Sequence, residues 1–170
     1  ARIVCKIIPA NPHEEEEFGP KYLDKSALST PSLAFAQITR ELVRMGEIVQ
    51  GMLRDVVLLF EKYNLDLADN IAARDHQVDT LYQAIKFYLA RIAFDSLKDE
   101  ETDMGVQLMT AVNWMESIGD AIDRHLKRLA HKKLNRGLEF SEQGWKEIRQ
   151  MHQGTNEMLG FALAALSSSS

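Results

Sequence analysis

The fold is decided in residues 71–126, which contain two acidic segments, Asp75-His76-Gln77-Val78-Asp79 and Glu116-Ser117-Ile118-Gly119-Asp120. Each segment places two carboxylates four residues apart, a spacing at which side chains lie one turn apart on the same face of a helix. Like charges at this spacing cost roughly 0.2–0.5 kcal/mol per pair. Because the arrangement occurs on two helices, it indicates a compensating partner for the acids, which is solvent, a basic surface or a cation.

Apolar residues around both segments recur at spacings of three and four, which is typical of amphipathic helices. The same periodicity predicts four helices in the chain, at about 31–62, 66–94, 102–133 and 141–166. Ser29-Thr30-Pro31 predicts the start of the first helix, with a capping side chain before a proline. Both acid pairs fall at the edge of the apolar stripe of their helix. The sequence therefore predicts an all-α fold, an antiparallel bundle of long helices.

The composition excludes several classes of protein. The chain has 170 residues, of which 45% are hydrophobic and 26% are charged, as in an ordinary globular domain. Its net charge of −5 argues against a general nucleic-acid binder, which is usually basic. A single cysteine, Cys5, excludes an internal disulfide framework. The sequence contains no apolar run long enough to span a bilayer.

Three regions are predicted along the chain. Residues 1–20 have the composition of a leader or linker next to a membrane segment. They contain two prolines, then an acidic run at residues 14–17, and then a Gly-Pro pair. Residues 21–166 form the helical bundle, and residues 167–170 are a disordered serine tail. The fourth helix has no second unit of helices to pack against within the chain, which predicts either a homo-oligomer or a further C-terminal portion of the protein.

Hard cations are bound by oxygen ligands, and carboxylates on two adjacent helices can converge on one ion. If the second and third helices are antiparallel, their acid pairs face each other, which makes Asp75, Asp79, Glu116 and Asp120 the predicted metal ligands. The alternative is that the acids form a solvated helix face. His76 and His125 are near the pairs, either as outer ligands or as ordinary surface residues.

Other chemistry has little support in the sequence. No histidine has a glutamate three residues before it, so the Glu-x-x-His motif of diiron bundles is absent. A Gly-x-Ser-x-Gly elbow and a Walker-type phosphate loop are also absent. Three functions stay open from the residues alone: a metal-binding regulatory module, a metal-dependent hydrolase, and a plain helical interaction or oligomerisation domain without metal.

The two acidic segments resemble the Glu/Asp-x-x-x-Asp motifs that the PhoU-like domain carries on successive helices of a three-helix bundle. Leu67-Ala68-Asp69-Asn70-Ile71, which leads into the first segment, is similar to the start of the motif-bearing second helix. More narrowly, two flanking segments resemble the C-terminal cytoplasmic domain of bacterial sodium/phosphate cotransporters. They are Pro20-Lys21-Tyr22-Leu23-Asp24, followed by Leu28-Ser29-Thr30-Pro31, and Phe140-Ser141-Glu142-Gln143-Gly144.

The resemblance implies one three-helix unit plus a fourth helix and a non-enzymatic, regulatory role in phosphate transport or homeostasis. It implies metal at the four acids, with iron as the first candidate and zinc, manganese or magnesium as alternatives, and it implies no catalytic residues. It also implies a transporter membrane domain upstream in the same polypeptide, which would place this domain on the cytoplasmic side of the inner membrane. Asp123 stands where the family commonly has asparagine, and Ser117 where it often has a basic residue.

Overall fold

A computed structural model describes residues 18–92 and 97–168 of the chain. It contains a short 3₁₀ helix, Lys25–Ser29, and five α-helices: α1 Pro31–Glu61, α2 Leu65–Leu89, α3 Asp99–Asp120, α4 Lys127–Asn135 and α5 Glu142–Ser168. A π-helical turn, Ala121–Leu126, joins α3 and α4 into one rod. Over the described residues there is no strand, and the predicted all-α bundle is confirmed.

α1 is the central helix of the bundle, and α2, α3 and α5 all pack against it. One side chain per turn of α1 is fully buried over most of its length, and this stripe forms the axis of the core: Ile38, Leu42, Met45, Val49 and Met52. Leu33, which was predicted to belong to the same stripe, is half exposed, whereas Ala34 and Phe35 beside it are buried. It lies five residues before Ile38, so its side chain points about 140° away from the stripe. The stripe is one part of an apolar core that also includes residues of α2, α3 and α5, and burial of this core supplies the hydrophobic free energy of the bundle.

The helix ends differ from the prediction at three places. Pro31 does occupy the first turn of α1, but the side chain of Thr30 makes no capping hydrogen bond. α2 ends at Leu89 rather than near residue 94, because the backbone N–H groups of Arg91 and Ile92 bond to carbonyls three residues back, which tightens the last turn. α5 continues to Ser168, so the first two residues of the predicted tail are helical.

The segment that precedes α1 is bound to it by a buried charge. Glu41 of α1 is fully buried, and its Oε2 accepts hydrogen bonds from the backbone N–H groups of Lys21 and Tyr22 at 2.8 and 2.9 Å. Arg44 pairs with the other oxygen of Glu41 and donates to the carbonyl of Gly19 at 2.9 Å. We call residues 19–22 the strap. Residues 1–17 of the predicted leader, which was expected to span residues 1–20, lie outside the described residues, as do residues 169 and 170.

None of the described helices has the length and the apolar character needed to cross a membrane.

Candidate metal centre

Three of the four predicted ligands come together where α2 packs against α3. Asp79 of α2 and Glu116 and Asp120 of α3 each offer one carboxylate oxygen, and these oxygens all lie within 4.8 Å of one another. The three side chains are partly exposed, so the cluster opens to solvent on one side. The i and i+4 spacing on α3 supplies two of the oxygens, and the packing of α2 supplies the third.

Asp75, the fourth predicted ligand, lies deeper than the prediction placed it. It was expected at the edge of the apolar stripe, but its side chain is buried, with 8% of its surface exposed. The cause is Gly119 of α3, which lies opposite Asp75. If residue 119 had a side chain, its Cβ atom would lie only 3.1 Å from Oδ1 of Asp75. Because Gly119 has no side chain, α3 approaches α2 closely at this level and covers the carboxylate.

The surroundings of Asp75 disfavour its charged form. The pKa of Asp75 is raised from 3.8 to about 6, first by burial of the carboxylate and second by the negative charge of Asp123. The charges of Asp79 and Asp120 raise the pKa as well, and Arg124 lowers it. This corner of the bundle therefore has an excess of negative charge.

Two cations on the same rod offset part of that charge. The guanidinium of Arg124 lies 3.0 Å from Oδ1 of Asp120, and the ammonium group of Lys127 contacts Oδ1 of Asp123. Both oxygens are buried and, apart from these ion pairs, neither makes a hydrogen bond within the described residues. Buried carboxylate oxygens of this kind have coordination capacity left for a further positive charge.

The π-helical turn brings Asp123 into this corner. The backbone N–H of Lys127, the residue that follows the turn, donates a hydrogen bond to the carbonyl of Ile122, five residues back. In the sequence analysis Asp123 was noted as standing where the family commonly has asparagine, and it was not among the predicted ligands. The sequence does show a third carboxylate three residues after Asp120. The π-helical turn contains one residue more than an α-helical turn, however, and apolar periodicity does not predict this extra residue.

The donor set fits a hard metal ion. A cation with metal–oxygen distances of about 2.0–2.5 Å spans oxygens up to about 4–5 Å apart, which matches the spread of the three clustered oxygens. All the donors are carboxylates, the ligands that Mg²⁺, Mn²⁺ and iron ions accept. His76 and His125 are exposed and are not part of the cluster, which leaves the outer-ligand alternative without support.

Comparison with known proteins gives one family. The family model of the PhoU domain matches residues 42–129, which include all four predicted ligands. The chain is 33% identical over 170 residues to the "Putative inorganic phosphate export protein YjbB" of Salmonella typhimurium. The alignment covers 96% of this chain but only 30% of that protein, so the chain spans less than a third of the length of this relative.

Two further relatives are shorter proteins. Over 109 residues the chain is 28% identical to the "Phosphate-specific transport system accessory protein PhoU homolog" of Streptococcus pneumoniae, which covers 63% of this chain and 49% of that protein. A protein of the same name from Caulobacter vibrioides is 38% identical over 66 residues, 38% of this chain and 29% of that protein. No solved structure matches the chain significantly.

Proposed function

Since the chain belongs to the PhoU domain family, we propose that it is a regulatory, non-catalytic module of phosphate transport that binds metal ions at Asp75, Asp79, Glu116 and Asp120. The observation that carries the metal part is the cluster of three carboxylate oxygens within 4.8 Å, with the buried Asp75 one turn away. Without a cation, these anions repel one another in a partly desolvated corner. A bound ion would offset that repulsion and fasten α2 to α3.

The proposed role in phosphate transport rests on the names of the related proteins. Two kinds of relative, an export protein and a transport accessory protein, both carry phosphate in their names. We infer that this chain acts in the same process, as a domain joined through its strap to a transporter membrane domain on the cytoplasmic side of the inner membrane. The share of the export protein that the alignment leaves uncovered is consistent with such a domain upstream. The similarity to sodium/phosphate cotransporters belongs to the same proposal.

A regulatory role fits the shape of the site better than catalysis does. A hydrolytic metal centre needs an enclosed pocket with an open coordination position for substrate. The side chains of Asp79, Glu116 and Asp120 are instead partly exposed to solvent. A cleft of about 590 Å³ lies at the strap, and it is lined by Lys21, Tyr22 and Arg44 and by none of the four acids.

Metal binding is tested by elemental analysis of the purified protein and by titration with Mn²⁺, Zn²⁺ and, without oxygen, Fe²⁺. The variant Asp79→Ala with Asp120→Ala removes one clustered carboxylate from each helix, and we expect it to abolish metal content and the metal-dependent rise in melting temperature. The matched control is Asp69→Ala with Asp103→Ala, which removes one exposed acid from each of the same helices. Equal metal content in both double variants would contradict the proposal.

The role in transport is tested in the full-length polypeptide that contains this chain. Cells that produce it are expected to export or retain phosphate at a rate that changes with the Asp79→Ala and Asp120→Ala variant and stays unchanged with the control variant. Identical phosphate fluxes for the two variants would overturn the regulatory part alone, provided that the wild-type and control proteins bind metal and the test variant does not. Phosphatase activity that is abolished by a chelator and by the test variant would instead favour the hydrolase.

A further inference from the structure

The cleft between the strap and α1 has a largely polar lining. Its volume of about 590 Å³ lies in the range of pockets that hold small molecules, roughly 300–1,000 Å³. One lining residue, Val43, is apolar, and the others carry polar groups: Lys21, Tyr22, Arg40, Arg44, Glu47 and Ser167. Three of these residues are cationic, although the whole chain has a net charge of −5. The cleft is therefore a local concentration of positive charge on an acidic protein.

Arg44 is held in a fixed position at this cleft. Its side chain is 14% exposed, and Nη1 donates hydrogen bonds both to Glu41 and to the carbonyl of Gly19. The guanidinium also lies over the ring of Phe18, with Cζ 4.7 Å from the ring centroid. Because both hydrogen bonds use Nη1, the Nε and Nη2 atoms make no hydrogen bond among the described residues. Together they form the edge through which a guanidinium binds an oxyanion with two parallel hydrogen bonds.

Arg40 and Lys21 supply charge that no acid of the described residues neutralises. Arg40 is exposed, and its guanidinium lies over the ring of Tyr22, with Cζ 4.3 Å from the centroid. The side chain of Lys21 is exposed as well, and the backbone of this residue is fixed by Glu41. Neither cation forms an ion pair within residues 18–92 and 97–168. Both charges are thus available to an anion in the cleft.

We propose that this cleft binds a phosphate group, which belongs either to inorganic phosphate or to the headgroup of a lipid. A phosphate dianion has acceptor oxygens in several directions, so it can accept from the open edge of Arg44 and also from Arg40 and Lys21. A carboxylate has two oxygens in one plane, and a single guanidinium satisfies both of them. The charges also agree, because the two unpaired cations match the two negative charges of the anion.

Two features at the edge of the cleft oppose an anion. Glu47 of α1 lines the cleft, and α5 ends one residue beyond Ser167 with the partial negative charge of a helix C-terminus. Both residues are exposed, so solvent and salt screen these charges. They lower the affinity for the anion, and the charge of Glu47 can be removed without touching the cations.

A bound phosphate group would connect the strap to α1. Lys21 lies in the strap, whereas Arg40 and Arg44 belong to α1. An anion held by all three would add ionic contacts to the hydrogen bonds that Glu41 already makes with the strap. The biological meaning of this contact rests on the proposed function, in which the strap joins the domain to a transporter. The binding itself does not rest on it.

Isothermal titration of the full chain with inorganic phosphate, after removal of metal and at constant ionic strength, tests the site. We expect one saturable site per chain. Arg40→Gln removes a charged donor and should weaken binding by about tenfold or more. The matched control is Arg54→Gln, at an exposed arginine of the same helix that does not line the cleft, and it should leave the affinity unchanged. Glu47→Gln should tighten binding by about two- to fivefold.

Co-sedimentation with vesicles distinguishes the two sources of the phosphate group. If the source is a lipid, the chain should sediment with vesicles of phosphatidic acid and phosphatidylcholine but not of phosphatidylcholine alone, and Arg40→Gln should release it. If the source is free phosphate, the titration should saturate and the vesicles should not bind the chain through Arg40. Absence of both kinds of binding, or equal losses with Arg40→Gln and Arg54→Gln, would overturn the proposal.

Limited proteolysis tests the connection between the strap and α1. The phosphate source that binds should slow cleavage within the strap of the wild type and of the Arg54→Gln variant, and it should have little effect on the Arg40→Gln variant. Unchanged cleavage of wild-type protein saturated with the ligand would contradict a site shared by the strap and α1. All these measurements use metal-free protein, so the phosphate site and the proposed metal site can fail separately.

Discussion

Gly119 of α3 lies against the carboxylate of Asp75 of α2, and a Cβ at position 119 would be 3.1 Å from Oδ1 of that carboxylate and 3.4 Å from Cγ1 of Val78. The two helices therefore approach each other closely where the carboxylate of Asp75 is buried. The lack of a side chain at Gly119 permits the close approach of the two backbones, and this approach buries the carboxylate of Asp75 and raises its pKa.

Gly119→Ala should lower metal affinity, because the added methyl group displaces Asp75 and Val78 by a few tenths of an ångström. In a helix interior, Gly→Ala ordinarily stabilises a protein by about 0.5–1 kcal/mol. We expect Gly119→Ala to gain less than this in chemical denaturation. Gly154→Ala, at a helical glycine whose added Cβ would meet nothing within 4 Å, is the matched control and should show the full gain. Equal gains at both glycines would contradict the close approach.

Asp75 should make the metal-free protein less stable as the pH rises. Its folded-state pKa, about 6, is above the unfolded value of 3.8, so the folded protein binds more protons between these values and loses stability as the pH increases through them. The loss attributable to Asp75 should be complete above about pH 7 and should amount to about 2–3 kcal/mol.

The variant Asp75→Asn isolates this effect. Chemical denaturation of the metal-free protein should show the variant more stable than the wild type at pH 7.5 and equally stable near pH 4, where Asp75 is protonated. Saturating metal should reverse the order at pH 7.5, because the amide that replaces the carboxylate offers no negative charge to the ion. A difference between the two proteins that does not vary with pH would show that the burial of Asp75 has no electrostatic cost.

Glu41→Ala should detach the strap from α1. The substitution leaves the backbone N–H groups of Lys21 and Tyr22 without an acceptor and leaves Arg44 without its carboxylate partner. Removal of one member of a buried charged network costs about 3 kcal/mol. We expect a decrease of this size in the free energy of unfolding, together with faster limited proteolysis within the strap.

The control for the strap is Glu47→Ala, at an exposed acid less than two turns further along α1. Its effect on stability should be below about 0.5 kcal/mol, and proteolysis of the strap should be unchanged. Similar proteolysis of the two variants would mean that Glu41 does not hold the strap.

Arg124→Gln should increase the affinity of the acid cluster for divalent ions. Arg124 lies 3.0 Å from Oδ1 of Asp120 and competes with an ion for that oxygen, although its side chain is 62% exposed and therefore well screened. We expect affinity to rise by about two- to fivefold in isothermal titration. Arg128→Gln, at an exposed cation one turn further along the rod, is the control and should leave affinity within error of the wild type.

The helices and the meeting of Asp79, Glu116 and Asp120 were predictable from the sequence, because both follow from local periodicity and antiparallel packing. The burial of Asp75 was not predictable, since it depends on how closely α3 approaches at Gly119. Glu41 was not identified either. It lies among the apolar residues of α1, and its role comes from a segment about 20 residues away that bends back onto it. Contacts of this kind are tertiary, and the pattern along one helix does not contain them.

The π-helical turn at Ala121–Leu126 has a consequence for the evolution of this domain. Loss of a single codon within it would convert the turn to an ordinary α-helix and rotate everything that follows by about 100°. The basic residues of α4 would then lie on a different side of the rod relative to the carboxylates that precede the turn. Insertion or loss of one residue at this point is thus a short mutational route by which related chains could change the charge that surrounds the acids while keeping the acids themselves.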